Sequence, residues 1–223
     1  MGEVLGLGLT HFPPLGWPDE AMDRALQFAL ADPNVPDAPA EADAARTLLA
    51  LGRLALRQPD LSLAATTLEE ARVVAPRSGD EIHLAALISA ELARVAVARG
   101  AIEEARLHAS AATAAQRAHR CRRCSAEIGP ALVEAALAAD DLVAADAARA
   151  ASLEAAYRLN LPIAIATMRL AGGRLMLARG DLAGAAVEFA AALETFERLG
   201  PRHLVAETRA AMVGTDQARP ESA

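Results

Sequence analysis

The chain has 223 residues, 53% apolar but only 3% aromatic, with a net charge of −7. That charge argues against a broad nucleic-acid face, which needs clustered positive residues. No stretch of about 18 uncharged apolar residues predicts a membrane span, no basic segment ahead of an apolar core predicts a secretory signal, and two cysteines three apart make no secreted disulfide framework, so a cytoplasmic location is expected.

Much of the apolar content is alanine, the best helix former, which predicts a core of closely approaching helices. All 22 basic residues are arginine. Residues 1–40 stand apart from the rest. Glu3 to Thr10 reads as a short strand, with apolar residues alternating at Leu5, Leu7 and Leu9. Pro18-Asp19-Glu20 opens a helix, with proline in the first turn and acidic residues against its positive end. The run from Asp32 to Pro39, with three prolines, ends that helix and reads as a linker. The stretch Met1 to Pro14, followed by Pro18-Asp19-Glu20 and Leu30-Ala31-Asp32-Pro33, resembles the start of a class III extradiol ring-cleavage dioxygenase. The resemblance implies a role for His11 as a ligand of a catalytic non-haem iron. It covers about 36 residues and leaves the set incomplete, because such iron needs further histidine and carboxylate ligands. His83, His108, His119 and His203 match no dioxygenase motif, and the other reading of His11 is an ordinary loop histidine.

From residue 41 onward a fixed period appears. Asp60, Ala101, Asp141 and Asp181 each follow a helix end and precede a helix start, at spacings of 41, 40 and 40. Such a period predicts an all-α array of helical hairpins, each burying its apolar face on its neighbours. Four pairs are expected: Glu41 to Arg57 with Leu61 to Ala75, Asp80 to Arg99 with Ile102 to Ala118, Cys121 to Ala138 with Leu142 to Leu159, and Pro162 to Arg179 with Leu182 to Leu199. Ser78-Gly79-Asp80-Glu81 reads as a capping box and Leu199-Gly200-Pro201 as a clean stop. A closing helix from about His203 to Val213 and a polar tail fill residues 201–223.

In register, Gly52, Ala93, Val133 and Gly173 share one position, and Ala64, Ala105, Ala145 and Ala185 another. Seven residues beyond the second set come Ala71, Ala112, Ser152 and Ala192. Together with Gly180-Asp181 and Phe189, this pattern resembles the tetratricopeptide repeat in its roughly 40-residue form. It is similar to the sensor arms of large LuxR-type, maltose-regulator-like transcription activators, over about 160 residues. The resemblance implies a right-handed array whose concave groove holds a peptide. The nucleotide-binding module and helix-turn-helix of those regulators have no counterpart here, since no phosphate-loop motif occurs and the chain has no lysine.

Two constellations bear on chemistry. Arg53, Arg94, Glu134 and Arg174 fall at one register position, with Arg46, Glu127 and Thr167 one turn upstream and Leu87 as the exception. By the resemblance this column faces the groove. It then either binds an acidic or C-terminal peptide through planar guanidinium groups, or forms an intramolecular ladder in which Glu134 bridges Arg94 and Arg174. The second constellation is His119-Arg120-Cys121-Arg122-Arg123-Cys124. Cys121 and Cys124 suit zinc in part, but a fourth ligand at the right spacing is missing. Their flanking arginines favour redox reactivity, and the plainest reading is two partly buried thiols. The chain is therefore expected to be a non-catalytic scaffold for a protein or peptide partner, acidic in the sharper reading, without nucleic acid, membrane or cofactor. The alternative is an incomplete iron-dependent dioxygenase.

Overall fold

Alanine and glycine at the register positions let helix axes approach closely, and the fold uses this throughout. The computed structural model describes residues 41–77 and 81–217. His11, the expected strand at 3–10, the proline linker and the capping residues Ser78, Gly79 and Asp80 lie outside them. Among the described residues there are nine α-helices and no strand: α1 (Glu41–Arg57), α2 (Leu61–Val74), α3 (Glu81–Ala98), α4 (Ile102–His119), α5 (Arg122–Ala138), α6 (Leu142–Arg158), α7 (Pro162–Ala178), α8 (Leu182–Leu199) and α9 (Arg202–Gln217). They form four hairpins, α1–α2 to α7–α8, closed by α9, so the chain is a helical-hairpin repeat array. None of the described helices is long and apolar enough to cross a membrane.

The turns explain the period. At the end of α7, Gly180 (φ 78°) donates to Leu177 O and Asp181 N–H donates to Met176 O, the paired bonds of a left-handed helix stop. Asp181 is then the N-cap of α8, its carboxylate accepting from Gly184 N–H at 2.8 Å. One residue thus ends one helix and starts the next. The turn after α5 repeats this with Asp140 at φ 56° and Asp141 as the cap on Ala144. Aspartate tolerates that backbone better than most side chains. Asp60 caps α2 through Leu63 N–H in the same way, whereas Ala101 offers no side-chain cap.

Each odd-numbered helix packs on its own partner, on the even-numbered helix before it, and on the next odd-numbered helix. No comparable packing joins successive even-numbered helices. The odd helices therefore form a continuous inner layer and the even helices an outer one. Ala64, Ala105, Ala145 and Ala185 are wholly buried between the layers, as are Ala71, Ala112 and Ala192. Volume is traded across the hairpins: a Cβ on Gly52 would lie 2.5 Å from Leu68 Cγ, and one on Gly173 would lie 2.3 Å from Phe189 Cε1. The glycine in the inner helix is the space for the large outer side chain.

Most helix ends fall within a residue of expectation, and two differences have a local cause. α2 stops at Val74, and Ala75–Arg77 tightens into a 3-10 turn around Pro76, which cannot continue the α-helical bonding. α5 runs through Pro130, as the span expected from Cys121 to Ala138 requires. α9 continues to Gln217 rather than Val213, because no proline interrupts the chain before Pro220.

Candidate functional site

The inner layer carries a continuous ladder of alternating charge. Arg53 Nε on α1 donates to Glu91 Oε1 on α3 at 2.7 Å. Glu91 Oε2 also pairs with Arg94 Nη1 at 3.4 Å. Arg94 Nε donates to Glu134 Oε2 on α5 at 2.9 Å, and Arg174 Nη1 on α7 donates to Glu134 Oε1 at 3.2 Å. Arg174 Nη2 finally donates to Glu207 Oε1 on α9. Glu134 bridges Arg94 and Arg174, so the ladder geometry weighed from the sequence is the one present.

Electrostatics follow from this crowding. Burial on its own would raise the Glu91 carboxyl, but the guanidinium groups of Arg53 and Arg94 outweigh it and hold the group below the ordinary carboxylate range. The Glu134 carboxylate, opposed by burial and helped by Glu91, holds the Arg94 guanidinium charged more firmly than usual. Three arginines and three glutamates alternate, so the ladder is self-neutralising. Glu91 and Glu207 were not singled out from the sequence. Glu91 lies three residues before Arg94, a helical pair spacing that marks it; Glu207 is off the repeat register on the closing helix, and no periodicity points to it.

The second row behaves differently. Thr167 is buried and its hydroxyl donates to Ile163 O in its own helix, and Leu87 is core. Arg46 is half-buried on α1. Glu127 is not presented to a groove: its side chain is only 3% exposed, with Oε1 held by Arg123 Nε at 2.8 Å.

Glu127 belongs to another cluster. Cys121 and Cys124 are joined as a disulfide, so neither is the free thiol expected. The reason is positional: Cys121 is the N-cap of α5 and Cys124 lies one turn on, which stacks their sulfurs at the helix start. His83, at the beginning of α3, brings a ring nitrogen to both sulfurs, and these three donor atoms lie within 4.8 Å of one another. Local spacing points to His119, whose side chain lies outside the described residues, whereas His83 comes from the preceding repeat. Its signal was available, since His83 precedes Cys124 by 41 residues, one repeat. His108 and His203 lie elsewhere, on α4 and α9.

No family model matches the chain, and no curated protein matches it. Among solved structures it is similar to BtubC (BKLC) from P. vanneervenii, with a TM-score of 0.57 over 92% of this chain and 93% of that one, at 16% identity. At that identity the likeness is one of fold.

Proposed function

We propose that the chain is a non-catalytic interaction scaffold that holds a segment of a partner protein against its inner helical layer. The observation that carries this reading is the unbroken odd-helix layer bearing Arg53, Arg94 and Arg174 at one register position, two of them partly exposed: Arg94 at 37% and Arg174 at 30% of their side chains. The ladder uses Nε and Nη1 of Arg94 and both Nη atoms of Arg174. Guanidinium groups have five donors, so N–H groups remain for a carboxylate or a carbonyl of a partner. Their spacing is held by Glu134, which suits a rigid recognition surface better than mobile surface arginines would. Partner segments bearing Asp, Glu or a free C-terminus fit this face.

The repeat register supports a finer reading, a detached regulatory arm of the LuxR-type regulator kind acting in the cytoplasm. The dioxygenase alternative rests on His11 and the first 36 residues alone. The test is to pan the immobilised chain against a random-peptide display library and titrate the enriched peptides. Enrichment of acidic segments, with binding at least ~10-fold weaker to the Arg94→Ala/Arg174→Ala variant, is expected from the loss of charge-assisted hydrogen bonds. No enrichment, or enriched peptides that bind the double variant unchanged, overturns the reading.

A further inference from the structure

The disulfide at the start of α5 is placed as a reactive one. Cys121 closes the turn after α4 and caps α5, and its Sγ accepts the Cys124 N–H at 3.1 Å. A thiolate there faces a backbone N–H and the positive end of a helix, which favour it. The two intervening residues, Arg122 and Arg123, are both exposed arginines. The sulfurs are unequal in access: Cys121 is partly exposed, while Cys124 is wholly buried. An incoming thiolate reaches the first and not the second.

Behind the buried sulfur stands an acid–base pair. His83 Nδ1 is 3.0 Å from Cys124 Sγ. Its Nε2 faces Glu127 Oε2 at 3.7 Å, and that buried oxygen makes no hydrogen bond. Buried carboxylate oxygens are seldom left so. This one faces the ring nitrogen opposite the one that meets Cys124 Sγ, and Arg123 fixes the carboxylate from the other side. A metal fits less well: the sulfurs are bonded to each other, and Glu127 faces the far nitrogen of His83, which leaves three donors where a closed site needs four.

We propose that Cys121 and Cys124 form a thiol–disulfide exchange site that oxidises a dithiol, with His83 as the proton donor. One sulfur of the dithiol, as thiolate, bonds to Cys121 Sγ while the Cys121–Cys124 bond breaks. The electron pair goes to Cys124 Sγ, which takes the proton from His83 Nδ1. The second dithiol sulfur, as thiolate, then attacks the first, and Cys121 leaves as a thiolate facing the Cys124 N–H. The dithiol becomes a disulfide, losing two electrons that reduce the cysteine pair. Of its two protons, one restores His83 and the other goes to solvent or to Cys121.

The test compares the full chain with an unstructured peptide carrying the Cys121 to Cys124 segment. Each disulfide is opened by dithiothreitol at pH 7 and followed by alkylation and mass shift. Opening of the chain's disulfide at least ~10-fold faster than the peptide's is expected from thiolate stabilisation and proton donation together. His83→Gln should remove most of that advantage with its helical circular dichroism intact, and Cys124→Ser, given oxidised glutathione, should form a mixed disulfide at Cys121 and release one reduced glutathione. A rate equal to the peptide's overturns the proposal, and this arm needs no variant. Titration of the reduced chain with zinc alone gives a further outcome: one equivalent held more tightly than by the peptide, and released in His83→Gln, would make the cluster a metal site and likewise overturn the proposal.

Discussion

α7 and α8 are two halves of one hairpin, of nearly equal length, yet they are built by different rules. In α8 the buried residues are Ala185, Phe189, Ala192 and Phe196, a single stripe repeating every three or four positions. In α7 they are Ala164, Ala166, Thr167, Met168, Leu170, Ala171, Gly172, Gly173 and Leu175, nearly the whole middle of the helix. α5 and α6 repeat the contrast. The outer helix touches its partner and the next inner helix, so one stripe is enough. The inner helix is enclosed by outer helices and by inner helices on either side, so it needs small apolar residues around most of its circumference. Charge on an inner helix is confined to the remaining face and must be paired there, which is why the ladder exists.

The contrast can be broken most severely from the outer side, where so few residues carry the burial. Phe189→Ala removes one of the two largest side chains buried in the array. A loss of about 3–5 kcal/mol in denaturant unfolding is expected. A loss under about 1 kcal/mol would show that the last hairpin contributes little to global stability.

Next in size is the ladder. Arg53→Ala leaves the buried Glu91 with only its longer bond to Arg94, at a cost of about 1.5–3 kcal/mol near pH 7. Because Glu91 titrates below its ordinary value of 4.5 when folded, its stabilising contribution is complete above that value. It is lost as pH falls through the lower folded value. The gap in melting temperature between wild type and Arg53→Ala should therefore narrow in acid, and a gap that stays constant from pH 7 to pH 3 would contradict the pairing.

A smaller effect sharpens the volume exchange between the layers. Gly173→Ala sets a methyl group against the fully buried Phe189 ring and should cost about 1–3 kcal/mol. The same substitution in the Phe189→Leu background should cost less, since the smaller side chain frees space at that position. Equal costs in the two backgrounds would dissociate the glycine from its outer partner.

The smallest effect expected is at the turns. Asp181→Ala removes the cap on Gly184 N–H and should cost about 1 kcal/mol. Ala101 already lacks a side-chain cap, so Ala101→Asp should recover a similar amount in the second hairpin. Thermal melts of both variants check the pair.

Much of the architecture was legible because it is local. Helix ends at Gly180 and Gly200, caps at Asp60, Asp141 and Asp181, and the buried alanine columns all follow from chemistry within a few residues, repeated at a constant interval. The ladder was legible in part. Arg53, Arg94, Glu134 and Arg174 stand in register, whereas Glu91 and Glu207 reach the ladder from positions the repeat does not share. The cysteine cluster was the least legible. Local spacing drew attention to His119, but His83 reaches the sulfurs from one repeat upstream.

By itself the sequence determined the helices, their order, their number per repeat and the faces they bury, because capping, backbone preference and apolar periodicity act over less than two turns. Only the tertiary structure decided which charges meet and which side chain lies against the disulfide. Those contacts depend on how successive inner helices slide and rotate against one another, at separations of 33 to 41 residues along the chain. The period in the sequence says that equivalent helices are neighbours. The rotation that sets Arg94 against Glu134, and His83 against Cys124, arises only when small residues let the helix surfaces interlock.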